Sequence, residues 1–68
     1  MNKALLRYEM DLHGVTTEQM AEALGISRSA FWRKCNGVSE FRQSEIQKII
    51  RVLDLQRPAD IFFSDEVS

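Results

Sequence analysis

The chain has 68 residues, 44% of them hydrophobic, with one Cys, one His and a formal net charge of −1. That length holds a single domain with a small core; a lone cysteine excludes an internal disulfide, and with one His it makes no metal site. No apolar run is long enough to span a membrane and no signal-peptide block opens the sequence, so the expected setting is the reducing cytoplasm.

The first predicted helix covers Asn2 to His13, with Gly14 as the residue that ends it. Leu6, Met10 and His13 share one face by i, i+4, i+7 spacing, and Leu5, Tyr8 and Leu12 share another. Two apolar faces are more than one core requires, so the second is expected to cover a neighbouring helix or a partner chain. His13, without a nucleophile or ligand nearby, reads as structural, at a helix C-terminus that tolerates positive charge.

Val15 to Met20 is a strong helix start. Thr16 and Gln19 fit the S/T-x-x-E/Q capping box, and Val15 and Met20 fit the hydrophobic staple across it. The second helix then runs through Ala21 and Leu24 to Gly25. Only Gly25 and Ile26 separate it from Ser27, so two short helices meet at a tight corner of the kind that DNA readers use.

Ser27 to Gly37 reads as the third helix, and the rest of the chain is organised around it. Ser27 is a good N-cap, Ile26 and Phe31 form a staple, and Gly37 supplies the left-handed terminator. At about 100° per residue, Phe31 and Cys35 mark the buried side. Ser29 and Arg33 face the other way, flanked by Trp32, Asn36 and Ala30, with Arg28 in the first turn. Such a face is shaped for a major groove. The plainer reading is a solvated outer face. Charge distribution favours the first. Residues 28–42 carry Arg28, Arg33, Lys34 and Arg42 against Glu40, a net +3, whereas residues 1–27 and 43–68 each sum to −2. A local footprint matters more to nucleic acid than the total.

Phe41 and Ile46 are spaced as a staple for a fourth helix, which puts Arg42 at its N-cap. Arg has no acceptor for the orphan N–H groups, so either Ser44 takes over the cap or a phosphate oxygen does. Ile46, Ile49, Ile50 and Leu53 form the buried stripe, and Val52 falls off it. Arg57-Pro58-Ala59-Asp60 starts a last short helix, with Pro58 at N1 and Asp60 at the positive dipole end. Ile61, Phe62 and Phe63 cannot all reach one core. Residues 64–68 read as a frayed acidic tail.

Thr17-x-x-Met20-Ala21-x-x-Leu24-Gly25-Ile26-Ser27-x-Ser29-x-Phe31-x-Arg33-x-x-Asn36-Gly37 resembles the helix-turn-helix of the phage repressor/Cro family, also called the Xre family. The likeness continues through Asn36-Gly37-x-Ser39-Glu40-Phe41, the next helix and the Ile61-Phe62-Phe63 ending, which are similar to a group of short phage-associated bacterial regulators. Many members pair an Arg on the first helix with a Glu near the end of the third. Met10 and Cys35 stand at those positions here, and replacing both partners of a buried ion pair by apolar groups is tolerated.

The expectation is therefore an all-α, five-helix repressor/Cro-like DNA-binding domain spanning residues 1–68. The resemblance implies a transcriptional regulator, acting as a repressor at operator DNA near phage or mobile-element promoters, in the cytoplasm and on the nucleoid. Arg28, Ser29, Trp32 and Arg33 are the candidates for base contact, Arg with guanine being the commonest specific pairing. Trp32 has an equal alternative as a lid over the core. Thr17, Ser27, Lys34, Asn36, Arg42 and Gln43 are the candidates for phosphate contact, while Thr16 is committed to its cap. One such helix reads only a few base pairs, so a homodimer on DNA is expected. Val52, Phe62 and Phe63 are its candidate surface, with Leu5 and Leu12 as a weaker second patch.

No cofactor or small-molecule substrate is indicated, and no phosphate loop, paired-carboxylate site or Ser/His/Asp arrangement supports an enzyme. The alternative is a protein-interaction module on the same fold, antitoxin-like or antirepressor-binding, holding its partner through the apolar C-terminal surface. Salt separates the two, because DNA affinity falls steeply with salt and an apolar contact does not.

Overall fold

A computed structural model describes residues 1–63, and the expected tail at 64–68 lies outside the described residues. Five helices follow one another, α1 (Lys3–Leu12), α2 (Thr17–Leu24), α3 (Arg28–Cys35), α4 (Gln43–Leu53) and α5 (Ala59–Phe62), with no strand among the described residues. Each boundary has a local cause. Asn2 caps α1 by accepting from the Leu5 N–H at 3.0 Å. The capping box of α2 closes in both directions, Thr16 Oγ1 accepting from the Gln19 N–H at 3.1 Å and Gln19 Oε1 from the Thr16 N–H at 3.0 Å. Ser27 Oγ accepts from the Ala30 N–H at 3.0 Å and starts α3.

The corner between α2 and α3 depends on Gly25. Its φ of 72° is left-handed, a conformation that costs a residue with a Cβ. Its N–H and that of Ile26 return to the last turn of α2, which satisfies the orphan carbonyls. Gly37, at φ 80°, does the same service after α3. Asp54 closes α4 in the left-handed region without being Gly, at φ 49°; Asp is among the few residues that tolerate it.

Leu6, Met10, Met20, Ala21, Leu24, Phe31, Ile49, Leu53 and Ile61 form the core, so every helix contributes to it. α2 packs on both α3 and α4, and α1 packs on α5. The Asn2 N–H donates to the Ile61 carbonyl at 2.7 Å and ties the start of the chain to its last helix. Phe31, Phe41 and Phe62 stack edge to face in sequence, with centroids 5.8 and 5.9 Å apart, contributing about 0.5–1.5 kcal/mol per pair beyond their burial.

Three sequence expectations change. His13 does not share the buried face of Leu6 and Met10 but lies exposed at the C-cap, its Nδ1 3.0 Å from the Glu9 carbonyl; α1 stops one residue sooner. Helix α5 begins at Ala59, one residue later than expected, with Pro58 as N-cap and its carbonyl accepting from the Ile61 and Phe62 N–H groups. Ser44 is not a cap, since α4 starts before it at Gln43. As expected, the three closing apolar residues do not all reach the core: Ile61 is buried, Phe62 is half-buried against Phe41, and Phe63 is 72% exposed.

Candidate nucleic-acid interface

The tight corner presents α3 on the surface. Arg28, Ser29, Trp32 and Arg33 are all exposed, and together with Arg7 and Thr17 they line one open groove. Neither Arg28 nor Arg33 has a carboxylate within ion-pair distance among the described residues. Their charge is therefore free to meet an anion. Trp32 is 60% exposed, and its position on the α1 side of α3 leaves it no lid over the joint with α4.

The residues expected at phosphates divide. Thr17, at the first position of α2, is exposed in the groove. The Ser27 hydroxyl accepts from its cap partner and keeps its proton to donate. Arg42 and Gln43 are exposed at the start of α4, where the Arg42 side chain makes no cap hydrogen bond. Asn36 is engaged on both sides, its Oδ1 accepting from Lys3 Nζ at 2.7 Å and its Nδ2 donating to the Trp32 carbonyl at 2.8 Å.

Lys34 stands apart. Its ammonium lies 3.2 Å from Glu45 Oε1 and donates to the Glu40 carbonyl at 3.0 Å, with the two side chains only 13% and 9% exposed. It is an internal cation, turned from solvent toward α4, and the structure does not offer it to a phosphate. The reason is solvation: a carboxylate buried on α4 needs a partner charge, and Lys34 is the cation within reach. Burial raises the pKa of Glu45; the Arg42 N–H at 2.7 Å, the Lys34 ammonium and the Arg42 charge more than reverse this, so it titrates below its ordinary value of 4.5.

Two cations on α1 escaped the sequence reading. Lys3 reaches the C-terminal end of α3 through Asn36, and Arg7 lines the groove beside Trp32 and Thr17. Their i, i+4 spacing off the apolar stripe was a signal of a cationic ridge, but only the packing of α1 places that ridge beside α3.

Between α1 and α3 lies a cavity of about 110 Å³, lined in part by Leu6, Met10, Phe31, Trp32 and Cys35. Met10 and Cys35 thus share one space, where the resemblance implies an ion pair. Burial pushes the Cys35 thiol up to about 11, against the opposing charges of Lys3 and Arg7, so it stays protonated at neutral pH and is a poor nucleophile. Among the described residues no three His, Cys, Asp or Glu side chains are grouped to hold a metal ion, and no helix is long and apolar enough to cross a membrane.

A family model for the Cro/C1-type HTH DNA-binding domain matches residues 5–63. No curated protein and no solved structure matches the chain. The family match covers the corner, the exposed face of α3 and the helices that hold them, and on that span the chain belongs to the Cro/C1-type helix-turn-helix DNA-binding domains.

Proposed function

We propose that this domain is a sequence-specific transcriptional regulator that inserts α3 into the major groove of double-stranded operator DNA. The observation that carries the reading is the exposed set Arg28, Ser29 and Arg33, with no ion pair among the described residues, on a short helix fixed by a tight corner. Arg28 and Arg33 supply the forked donors that suit guanine, Ser29 supplies a short adaptable one, and Trp32 lies against a thymine methyl or sugar. Arg7, Thr17, Ser27, Arg42 and Gln43 bracket that helix and take the phosphates, with the N-termini of α2 and α4 adding their unpaired N–H groups.

The domain acts as a repressor of phage or mobile-element type, by occupying promoter DNA as a homodimer. Two copies place two α3 helices about 34 Å apart on successive major grooves. Phe63 and Val52, 72% and 39% exposed, supply the apolar contact, whereas Phe62 spends its ring on Phe41. The contact is small, so pairing is weak until DNA holds both halves.

Site selection from a random duplex library, followed by sequencing, tests the reading. The expected result is a short motif with two-fold symmetry, bound by two chains, with affinity falling steeply as salt rises. A flat library with no enriched motif overturns specific recognition, and an enriched site bound by one chain overturns the dimer.

A further inference from the structure

The cavity between α1 and α3 is apolar inside and cationic at its mouth. Its inner wall is Leu6, Met10, Phe31 and Cys35, with Trp32 at one edge, and Lys3 and Arg7 stand at the opening. Among the described residues no carboxylate lines it and neither cation is in an ion pair; Lys3 donates there to the neutral Asn36 amide. An apolar wall gives water few hydrogen-bond partners, so an apolar group is favoured against it. A benzene ring enters an engineered apolar cavity of about 150 Å³, and here about 110 Å³ opens outward, so a ring seats with its substituent at the mouth. Burial of Cys35 in this wall raises its thiol pKa against the two cations nearby, so it presents a neutral S–H to the cavity.

We propose that this cavity binds a small aromatic carboxylate, ring inward against Met10, Phe31 and Cys35 and carboxylate outward between Lys3 and Arg7, and that such a ligand competes with DNA. The competition rests on the DNA-binding reading above: Arg7 and Trp32 line both the cavity and the groove on the α3 face, so a bound anion takes Arg7 and fixes Trp32. The ligand site itself does not depend on that reading.

Titration of the full chain without DNA, followed by two-dimensional amide NMR, uses benzoate as the probe, with benzene and inorganic phosphate alongside. Saturable benzoate shifts are expected at Leu6, Met10, Phe31 and Cys35, with benzene reaching the same residues more weakly and phosphate leaving them still. Arg7→Gln should weaken benzoate about tenfold, one charged hydrogen bond, and leave benzene unchanged. Cys35→Leu fills the space and should abolish both. Shifts that do not saturate, or that phosphate reproduces, overturn the site, as does unchanged benzoate binding in a folded Cys35→Leu. Should that variant fail to fold, equal benzoate affinity in Arg7→Gln overturns it instead. With a selected duplex present, benzoate affinity should fall about fivefold or more. An unchanged affinity overturns the competition, and a chain that binds benzoate but no DNA overturns the proposed function while the ligand site stands.

Discussion

Besides its packing on α2, the third helix borders two seams built on opposite principles. Toward α4 the seam is full: Lys34 meets Glu45 at 3.2 Å, the Arg42 N–H closes onto the same carboxylate, and Phe41 stacks on Phe31. Toward α1 the seam is open, with a cavity lined in part by a lone thiol, a thioether and two cations that make no ion pair among the described residues. The difference separates two uses of positive charge. A cation in the full seam is structural and fixes the angle of α3 against the body of the domain. The cations at the open seam, Lys3 and Arg7, make no ion pair among the described residues, and the proposals above assign Arg7 to phosphate and both to an anion at the cavity mouth.

Removing Glu45 carries the largest expected effect. Glu45→Ala leaves the Lys34 ammonium without its counter-charge in a nearly closed space, and should cost about 3 kcal/mol of unfolding free energy. Pairing Lys34→Met with Glu45→Leu should recover most of that, because apolar groups of similar volume do without the desolvation cost. A urea titration reads both, and an unaltered midpoint for Glu45→Ala would show that the pair is not holding the seam. The same carboxylate sets an acid limit. Its folded pKa lies below the ordinary 4.5, so its contribution is complete above that value and is lost as pH falls through the folded pKa. In Glu45→Gln the loss of stability below about pH 4.5 should be shallower than in the native chain, read from melts across that window.

Adjacent residues on α3 then give opposite readouts. Arg33→Ala should lose about 1–3 kcal/mol on the selected site and relax its sequence preference, with stability unchanged. Lys34→Ala should lower stability and leave the salt dependence of binding where it was. Arg7→Gln on the open seam should lower the salt slope by about one unit for all sequences alike. A salt slope that fell with Lys34→Ala and not with Arg7→Gln would exchange the roles of the two seams.

Those neighbours also mark what the sequence discloses. The caps at Thr16 and Ser27 and the Gly25 corner are local, set by residues within a turn of one another, and the structure has them as read; Asn2, read as the first helical residue, is the cap of α1, and of the stripe Ile46, Ile49, Ile50 and Leu53 the second and fourth are buried and the other two half-buried. Arg33 and Lys34 look alike in a run of positive charge. Their division comes from Glu45, eleven positions on, whose burial follows from how α4 docks and not from its own neighbours. Arg7 was hidden for the complementary reason. It lies in an N-terminal segment of net negative charge, and the placement of α1 beside α3 is what carries it to the groove.

The smallest expected effect is a gain. Most enlargements inside a packed core strain it, at about 1–3 kcal/mol. The open seam has room beside Cys35. Cys35 is half-buried with about 110 Å³ beside it, and its thiol makes no hydrogen bond among the described residues, so a Leu there loses no polar partner. Leu extends into the space by roughly two more carbon atoms, each methylene buried being worth about 0.8 kcal/mol, less the rotamer freedom that Leu gives up. Cys35→Leu should therefore stabilise the fold by about 0.5–1 kcal/mol, seen as a higher urea midpoint with the same slope. A lower midpoint would mean that the cavity closes on itself in solution and that the two seams are equally full.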